Sequence, residues 1–469
     1  MTSHILAMTI NPVDLISDLQ KVAPDLELYS PQDPRSKESQ EFYNRALTYQ
    51  PLAIAKPRTE DQVSSVVRFC TTHGTPLAVR SAGHDFFGRS QVNNGILIDM
   101  RTMDTIEITP DSASARLGGG VIAGNLQQTL NSRGLFTPTG QAKSVGYVSW
   151  ACGGGYGFYV GTYGFGVDQI LGARVVLASG EIVDTREDPE LLWALRGAGA
   201  GAFGVLVELR VRVYPAPTIY AGLLAFPLSQ TAEVFRRFQE LIPDGYPDEF
   251  SGDSLFAHPE MLPVTLSEPC LTFLWCWTAV DGNLMPAKCL LEKMTGLGTV
   301  LANTVEETTA ADFGADGSPS RTFFRSRNVK GLQPELGTLV ELLPPPQPLS
   351  TVVVHNNHGK GVREGISDGI GTSFKNRYQH VILGLHGGTK DGVTTDSKEY
   401  ASATDWVKEL ENCLDEQKLS LQAGFANFHP PENVDLDRFF DQDIVEKLQG
   451  LKRRLDPGNV FCKSLPELQ

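Results

Sequence analysis

His84 is the residue of this chain best placed for covalent chemistry. It closes the run Ser81-Ala82-Gly83-His84, a turn of small residues where the backbone bends and a large group must approach closely. Consecutive backbone N–H groups in such a turn form a concave anion nest suited to a pyrophosphate. An imidazole at its end could bond to whatever the nest holds. A lone turn histidine is more often a solvated side chain, so this reading draws its weight from elsewhere in the chain. A second stretch, Thr139 to Gly166, supplies it: ten glycines fall between Gly140 and Gly172, interleaved with Val145, Trp150, Tyr156, Phe158 and Phe165. That density is too high for a core helix and suits backbone laid against a flat or elongated ligand. Other chemistries lack their signatures. There is no GxSxG elbow and no GxxxxGK[ST] loop. His355 and His358 stand at the end of a predicted strand with no third ligand, so no metal site is expected. Gly199–Gly204 matches GxGxxG but follows a predicted helix and precedes a predicted strand, the reverse of a dinucleotide fold, and is read as a packing turn.

The elements that position these residues are legible in order. Residues 1–50 read as a helical preamble. Leu52–Ala55 reads as a strand, and Thr59 with Gln62 as a capping box. Val63, Val66, Val67 and Cys70 follow at helical spacing up to Gly74. Leu77–Val79 is the strand that feeds the nest; Ile96–Asp99 and Thr105–Ile108 are strands after it. Arg116–Gly120 opens another glycine turn, followed by a helix through Leu126 and Leu130. Ala173–Leu177 and Glu181–Val183 form a hairpin. Asp188 caps a helix with Pro189 in its first turn, and Val205–Val213 alternates as a strand with one wet face. Pro215-Ala216-Pro217 marks a boundary. Beyond it glycine becomes rarer and proline commoner, with strands at 271–275, 351–354 and 381–383 and a helix at Trp406, Leu410 and Leu414. Residues 421–469 return to the style of the first part, with a helix through Leu448, Leu451 and Leu455 stopped by Asp456-Pro457-Gly458. The division expected is 1–217 (its core from about 47), 218–420 and 421–469.

Composition limits the partners. The 469 residues carry a net charge of −15 and no basic stripe, which disfavours nucleic acid. No apolar run approaches the ~20 residues of a membrane span, and the first twenty residues lack a basic start and an unbroken apolar stretch. Seven scattered cysteines without a CxxC pair suit a reducing compartment. A cytoplasmic protein acting on a small molecule is expected; oligomeric state is not legible.

Five blocks in order, VRSAGHDFFGRS, GGGVIAGNL, CGGGYGFYVGTYGFGVDQILGARVV, PELLWALRGAGAGAFGVLVEL and RRLDPGNVF, resemble the FAD-linked oxidases of the vanillyl-alcohol-oxidase superfamily. Within it the likeness is to the berberine-bridge-like branch. The resemblance implies an α+β fold: a split FAD-binding (PCMH-type) domain of two lobes, with an inserted antiparallel-sheet substrate domain. It implies FAD held by Arg80, Ser81, Ala82, Gly83, His84 and Ser90. Gly140, Ser144, Val145, Gly146 and Ser149 would form a second cofactor loop, with Gly154, Gly157 and Val205 packed on the dinucleotide and Asn427 reaching the flavin from the C-terminal segment. His84 stands where the family's histidine bonds the flavin. That bond tethers the cofactor and makes it a stronger oxidant.

The departures from the family pattern carry as much information. Ala142 occupies the position of a second linking cysteine, and Cys152 lies ten residues on, so one covalent bond is expected. Val145 stands at the oxygen-gating position, where a valine resembles the oxidases. Phe428 replaces the tyrosine that takes the hydroxyl proton in carbohydrate- and alcohol-oxidising relatives, and Phe86 replaces a second family tyrosine. The acid–base candidates left are His355, His358, Arg363, Glu364 and Tyr378, with His429 beside Asn427. Asp85 could orient the His84 imidazole or cap the turn. The reading is an FAD-dependent oxidase that takes a hydride from a small, largely apolar metabolite and returns the electrons to O2 as H2O2, with ring closure as a coupled step. The alternative is a non-redox isomerase or cyclase on the same scaffold.

Overall fold

A computed structural model of the protein describes residues 12–199, 201–315, 317, 319–431, 434–463 and 468. Its architecture is α+β, built on three main sheets. In the first part, Thr59 caps the Glu60–His73 helix by accepting from the Gln62 N–H at 3.3 Å. The reciprocal half of the expected box is displaced by one residue, because Gln62 Oε1 accepts from the Arg58 N–H at 2.7 Å. Val63, Val66, Val67 and Cys70 bury the helix face against a sheet ordered Glu27–Tyr29, Ala53–Lys56, Ile96–Asp99, Leu77–Arg80. The last three strands run parallel, so the Leu77–Arg80 strand delivers the Ser81–His84 turn at a sheet edge. The helical preamble is confined to Pro12–Val22 among the described residues. Prolines at 24, 31 and 34 break it, and the chain continues as a short strand and a 3-10 turn at Pro34–Gln40. Residues 1–11 lie outside the described residues.

The second sheet is antiparallel, ordered Ile106–Ile108, Ser114–Gly118, Val205–Arg212, Ile170–Val176, Ile182–Asp184. The glycine-rich stretch is not extended throughout. It breaks into three short helices, Tyr147–Cys152, Val160–Tyr163 and Gly166–Gln169, the first two ended by Gly153 and Gly164 and the third running into the strand at Ile170. Cys152 is fully buried in the core, and burial pushes its thiol up to about 12. The Asp188 carboxylate accepts from the Leu191 N–H at 3.0 Å and starts the Pro189–Leu195 helix as expected.

The third sheet is antiparallel and runs Ala302–Asn303, Thr218–Pro227, Cys270–Ala279, Ser254–Ala257, Thr351–Asn357, His380–Thr389, Arg321–Val329. Because side chains alternate along each strand, one face packs on helices Thr231–Leu241, Pro334–Leu342 and Lys398–Glu416 through Phe235, Phe238, Leu339 and Leu410. The other face presents Leu255, Leu274, Val353, His355 and His386 to a cavity. The chain then returns. The Gln442–Leu455 helix sets Val445, Leu448 and Leu451 into the same core as Leu191 and Leu195. No helix among the described residues is long and apolar enough to cross a membrane.

Candidate active site

A continuous cavity of about 970 Å³ runs between the first two sheets and the free face of the third. At one end lie Ser81, Ala82, Gly83, Gly119, Gly146, Val205 and Leu206; at the other, Tyr156, Leu255, Leu274, Val353, His355, His386, Phe425 and Phe428. His84 and Phe86 also line it.

The narrow end is built from turns. Gly83 has φ +85°, which only glycine adopts without strain, and its carbonyl accepts from the Tyr43 N–H at 3.0 Å. The N–H groups of Ala82 and Gly83 have no protein acceptor among the described residues, as a nest requires. Ser81 Oγ donates to the Gly119 carbonyl at 2.8 Å. A Cβ on Gly146 would stand 2.6 Å from Ser81 Oγ, so a glycine there lets the two turns close on one another. The buried Ser90 hydroxyl has no partner among the described residues, and Ser90 lines the cavity. Gly140, Val145, Ser149 and Asn427 complete this wall, with Asn427 Nδ2 donating to the Ser149 carbonyl at 3.4 Å. An elongated cleft with open backbone donors, an orphaned hydroxyl and glycine-tight walls fits FAD.

Four of the expected cofactor contacts face elsewhere. Arg80 is buried, and its guanidinium donates to the carbonyls of Glu38, Glu41 and Ala82 at 3.1, 2.6 and 3.4 Å. It braces the nest from behind. Gly154 meets Phe425 and Phe374, and Gly157 meets the Thr139 carbonyl; both are packing positions. Ser144 serves the cavity through His84 instead of lining it.

His84 stacks on Tyr43 with ring centroids 3.9 Å apart, and its Nε2 hydrogen-bonds Ser144 Oγ at 2.9 Å. Burial lowers its pKa to about 4, so the imidazole is neutral at pH 7. Asp85 does not orient it. The Asp85 carboxylate accepts from the Phe87 and Arg89 N–H groups at 3.1 and 2.6 Å and pairs with the Arg89 guanidinium, which makes it a turn cap. Ala142 forms a bridge with Ala315, and that pairing covers the cavity at the position of the missing cysteine.

The wide end is aromatic. Phe86 stacks on Phe324 at 4.1 Å and meets His386 and Phe428 edge-on at 5.2 and 5.8 Å. Phe428 also packs on Tyr156 and His355. Of the acid–base candidates, only His355 lines this chamber. His358 turns away, with Nε2 on the Ser251 carbonyl at 3.3 Å and its ring stacked on Tyr246. Arg363 and Glu364 are exposed on the Gly359–Glu364 helix, because the chain leaves the sheet after Asn357 and carries them off its face. Tyr378 is 39% exposed in the loop before His380. His429 bonds the Pro430 carbonyl through Nδ1 and accepts at its own carbonyl from Arg89; it lines a separate surface pocket with Arg325, Arg327 and Arg438. Two chamber residues were not foreseen. Tyr156 counts in the sequence only among the side chains interleaved with the glycines, with no role for its hydroxyl. His386 lies beyond the predicted end of its strand, yet it shares the two-residue phase of His380 and sits opposite Phe324 and Thr351. Burial holds His355 and His386 neutral, with pKa values of about 3.

Residues 51–186 match the FAD binding domain family. Over 458 residues, 95% of this chain and 86% of the relative, the chain is 33% identical to the FAD-linked oxidoreductase aurO of Gibberella zeae. Over 211 residues, 43% of this chain and 46% of the relative, it is 36% identical to (R)-6-hydroxynicotine oxidase of Paenarthrobacter nicotinovorans. The fold superposes on that of berberine bridge enzyme from Eschscholzia californica with a TM-score of 0.80 at 19% identity, covering 97% of this chain and 99% of that one.

Proposed function

Because the chain belongs to the berberine-bridge-like FAD-linked oxidoreductases of the vanillyl-alcohol-oxidase superfamily, we propose that it is an oxidase of a small, largely apolar metabolite, tethered to FAD through His84 alone. The observation that carries this reading is the shape of one continuous cavity: a glycine-walled cleft with open N–H donors joins an aromatic chamber beside His84. FAD, when bound, supplies the redox step, taking a hydride from a substrate C–H and passing both electrons to O2 to give H2O2. The chain's own residues hold and orient. Ala82 and Gly83 offer N–H groups to an anion, Ser90 offers a hydroxyl, and Asn427 reaches in from the C-terminal segment. Ser144 engages Nε2 of His84 and fixes the ring at the cavity wall. Phe86, Phe324, Phe425 and Phe428 exclude water from the chamber. With phenylalanine at 86 and 428, neither family tyrosine is present, which favours substrates that release hydride with little help, and ring closure as the coupled second step.

Acid precipitation of the purified protein tests the tether. Flavin is expected to stay with the pellet of the natural protein and to pass into the supernatant of His84→Ala, since only the imidazole links it. Flavin released from the natural protein would remove the covalent bond from this reading. Adding substrate without O2 separates the two chemistries: bleaching of the flavin supports the oxidase, and turnover without bleaching supports an isomerase or cyclase.

A further inference from the structure

The geometry points to Tyr156 and His355 as a pair that reads the hydroxyl group of an uncharged aromatic substrate, with His386 as a second polar contact one ring away. This rests on the oxidase reading, and it says which class of metabolite the chamber takes. His355 is 5% exposed and lines the chamber, and its ring makes no hydrogen bond among the described residues; Nδ1 is wholly buried without a partner there. A buried polar group of that kind costs free energy unless something pairs with it. Tyr156 lies against it with ring centroids 4.2 Å apart, and its hydroxyl also has no partner among the described residues. His386 sits across Phe86 and Phe324, at 5.2 and 4.7 Å from their rings, again without a hydrogen bond.

Together these groups offer what a hydroxyl needs, a donor and an acceptor side by side. They do not offer what an ion needs. The carboxylates that touch the cavity are engaged: Asp85 pairs with Arg89 and Glu260 with Lys390. Asp253 stands behind Gln141, outside the lining. An ammonium group here would lose its water and meet neutral rings, and an unpaired charge in such a place is strongly disfavoured. The remaining walls, Phe86, Phe425, Phe428, Leu255 and Val353, fit a flat aromatic body by edge and face contact.

Three probes of one shape test this on the flavin-loaded protein by titration calorimetry at pH 7: biphenyl-4-methanol, protonated biphenyl-4-methylamine and biphenyl. The alcohol is expected to bind at least about tenfold more tightly than the amine. His355→Phe and Tyr156→Phe are each expected to weaken the alcohol roughly three- to tenfold, the worth of one hydrogen bond, and to leave biphenyl unchanged. His355→Gln, which keeps a donor and an acceptor, should restore most of the loss; a variant that had merely misfolded would lose biphenyl too. Tighter binding of the amine, or an alcohol affinity indifferent to both replacements, overturns the assignment. The flavin band, recorded on the same samples, keeps the two readings apart. A protein without flavin that still ranks the probes this way overturns the oxidase reading and keeps this one.

Discussion

Lys452→Met is expected to destabilise the protein by about 3–5 kcal/mol, the range for removing one partner of a buried ion pair. The Lys452 side chain is 4% exposed and that of Asp456 is fully buried. The ammonium donates to Asp456 Oδ2 and the Ala202 carbonyl at 2.7 Å and to the Phe461 carbonyl at 3.1 Å. Asp456 in turn accepts from the Val460 and Phe461 N–H groups at 2.8 and 2.9 Å. Methionine matches the stem of lysine, so packing survives while a carboxylate and two carbonyls lose their donor. The effect reaches the cofactor cleft, because Phe461, Lys463 and Gly204 line its far end. Urea denaturation should show the loss, and flavin should leave at lower urea than in the natural protein. Lys452→Met with Asp456→Asn should recover part of the deficit, since the uncompensated charge is then gone. A single-variant loss below about 1 kcal/mol would mean that water reaches the pair.

What could be read in the sequence was what local chemistry decides. Thr59, Asp188 and the Ser81–His84 turn announce themselves because caps and nests are set by neighbours a few residues away. The wall of the cleft was legible for the same reason: Ser81, Gly146 and Val205 stand in turns or strand ends whose small or branched residues have a local cause. The far chamber was not, because strand register creates it. His355 and His386 are 31 positions apart in the chain and share a face only through the pairing of Thr351–Asn357 with His380–Thr389. Arg363 and Glu364 looked like neighbours of His355 in the chain and are carried off by a helix that no cap residue signals. Gln62 bonding Arg58 and Ser144 bonding His84 show the same limit on a smaller scale. Residue type identified one partner of each bond, and the fold chose the other.

Asp253 gives the second large expectation, a stability difference that depends on pH. It is 1% exposed, just before the Ser254–Ala257 strand. Its carboxylate accepts from the Asn356 N–H at 2.7 Å and from Gln141 of the first part of the chain. No cation acts on it among the described residues; its close neighbours include Tyr156, Tyr246 and Cys276. Burial therefore outweighs the two hydrogen bonds and pushes its pKa up to about 7. Between about pH 4 and pH 7 the folded protein keeps a proton that the unfolded chain has lost, so this group's contribution falls as pH rises and levels off above 7. A three-unit gap corresponds to at most about 4 kcal/mol. The natural protein's own curve will not show it directly. His84, His355, His358, His380 and His386 all have pKa values lowered by burial, and such groups make stability rise with pH over the range below about 6.5. The comparison with Asp253→Asn isolates the carboxylate. Asparagine is nearly isosteric, and Gln141 can turn its amide to present oxygen to the new NH2 group. Measured by denaturation at pH 5, 6, 7 and 8, the natural protein should lose ground steadily to the variant up to pH 7 and no further. Parallel curves across that range would mean that Asp253 is already ionised at pH 5. The bond to Gln141 would then be a charged one, worth more than burial takes away.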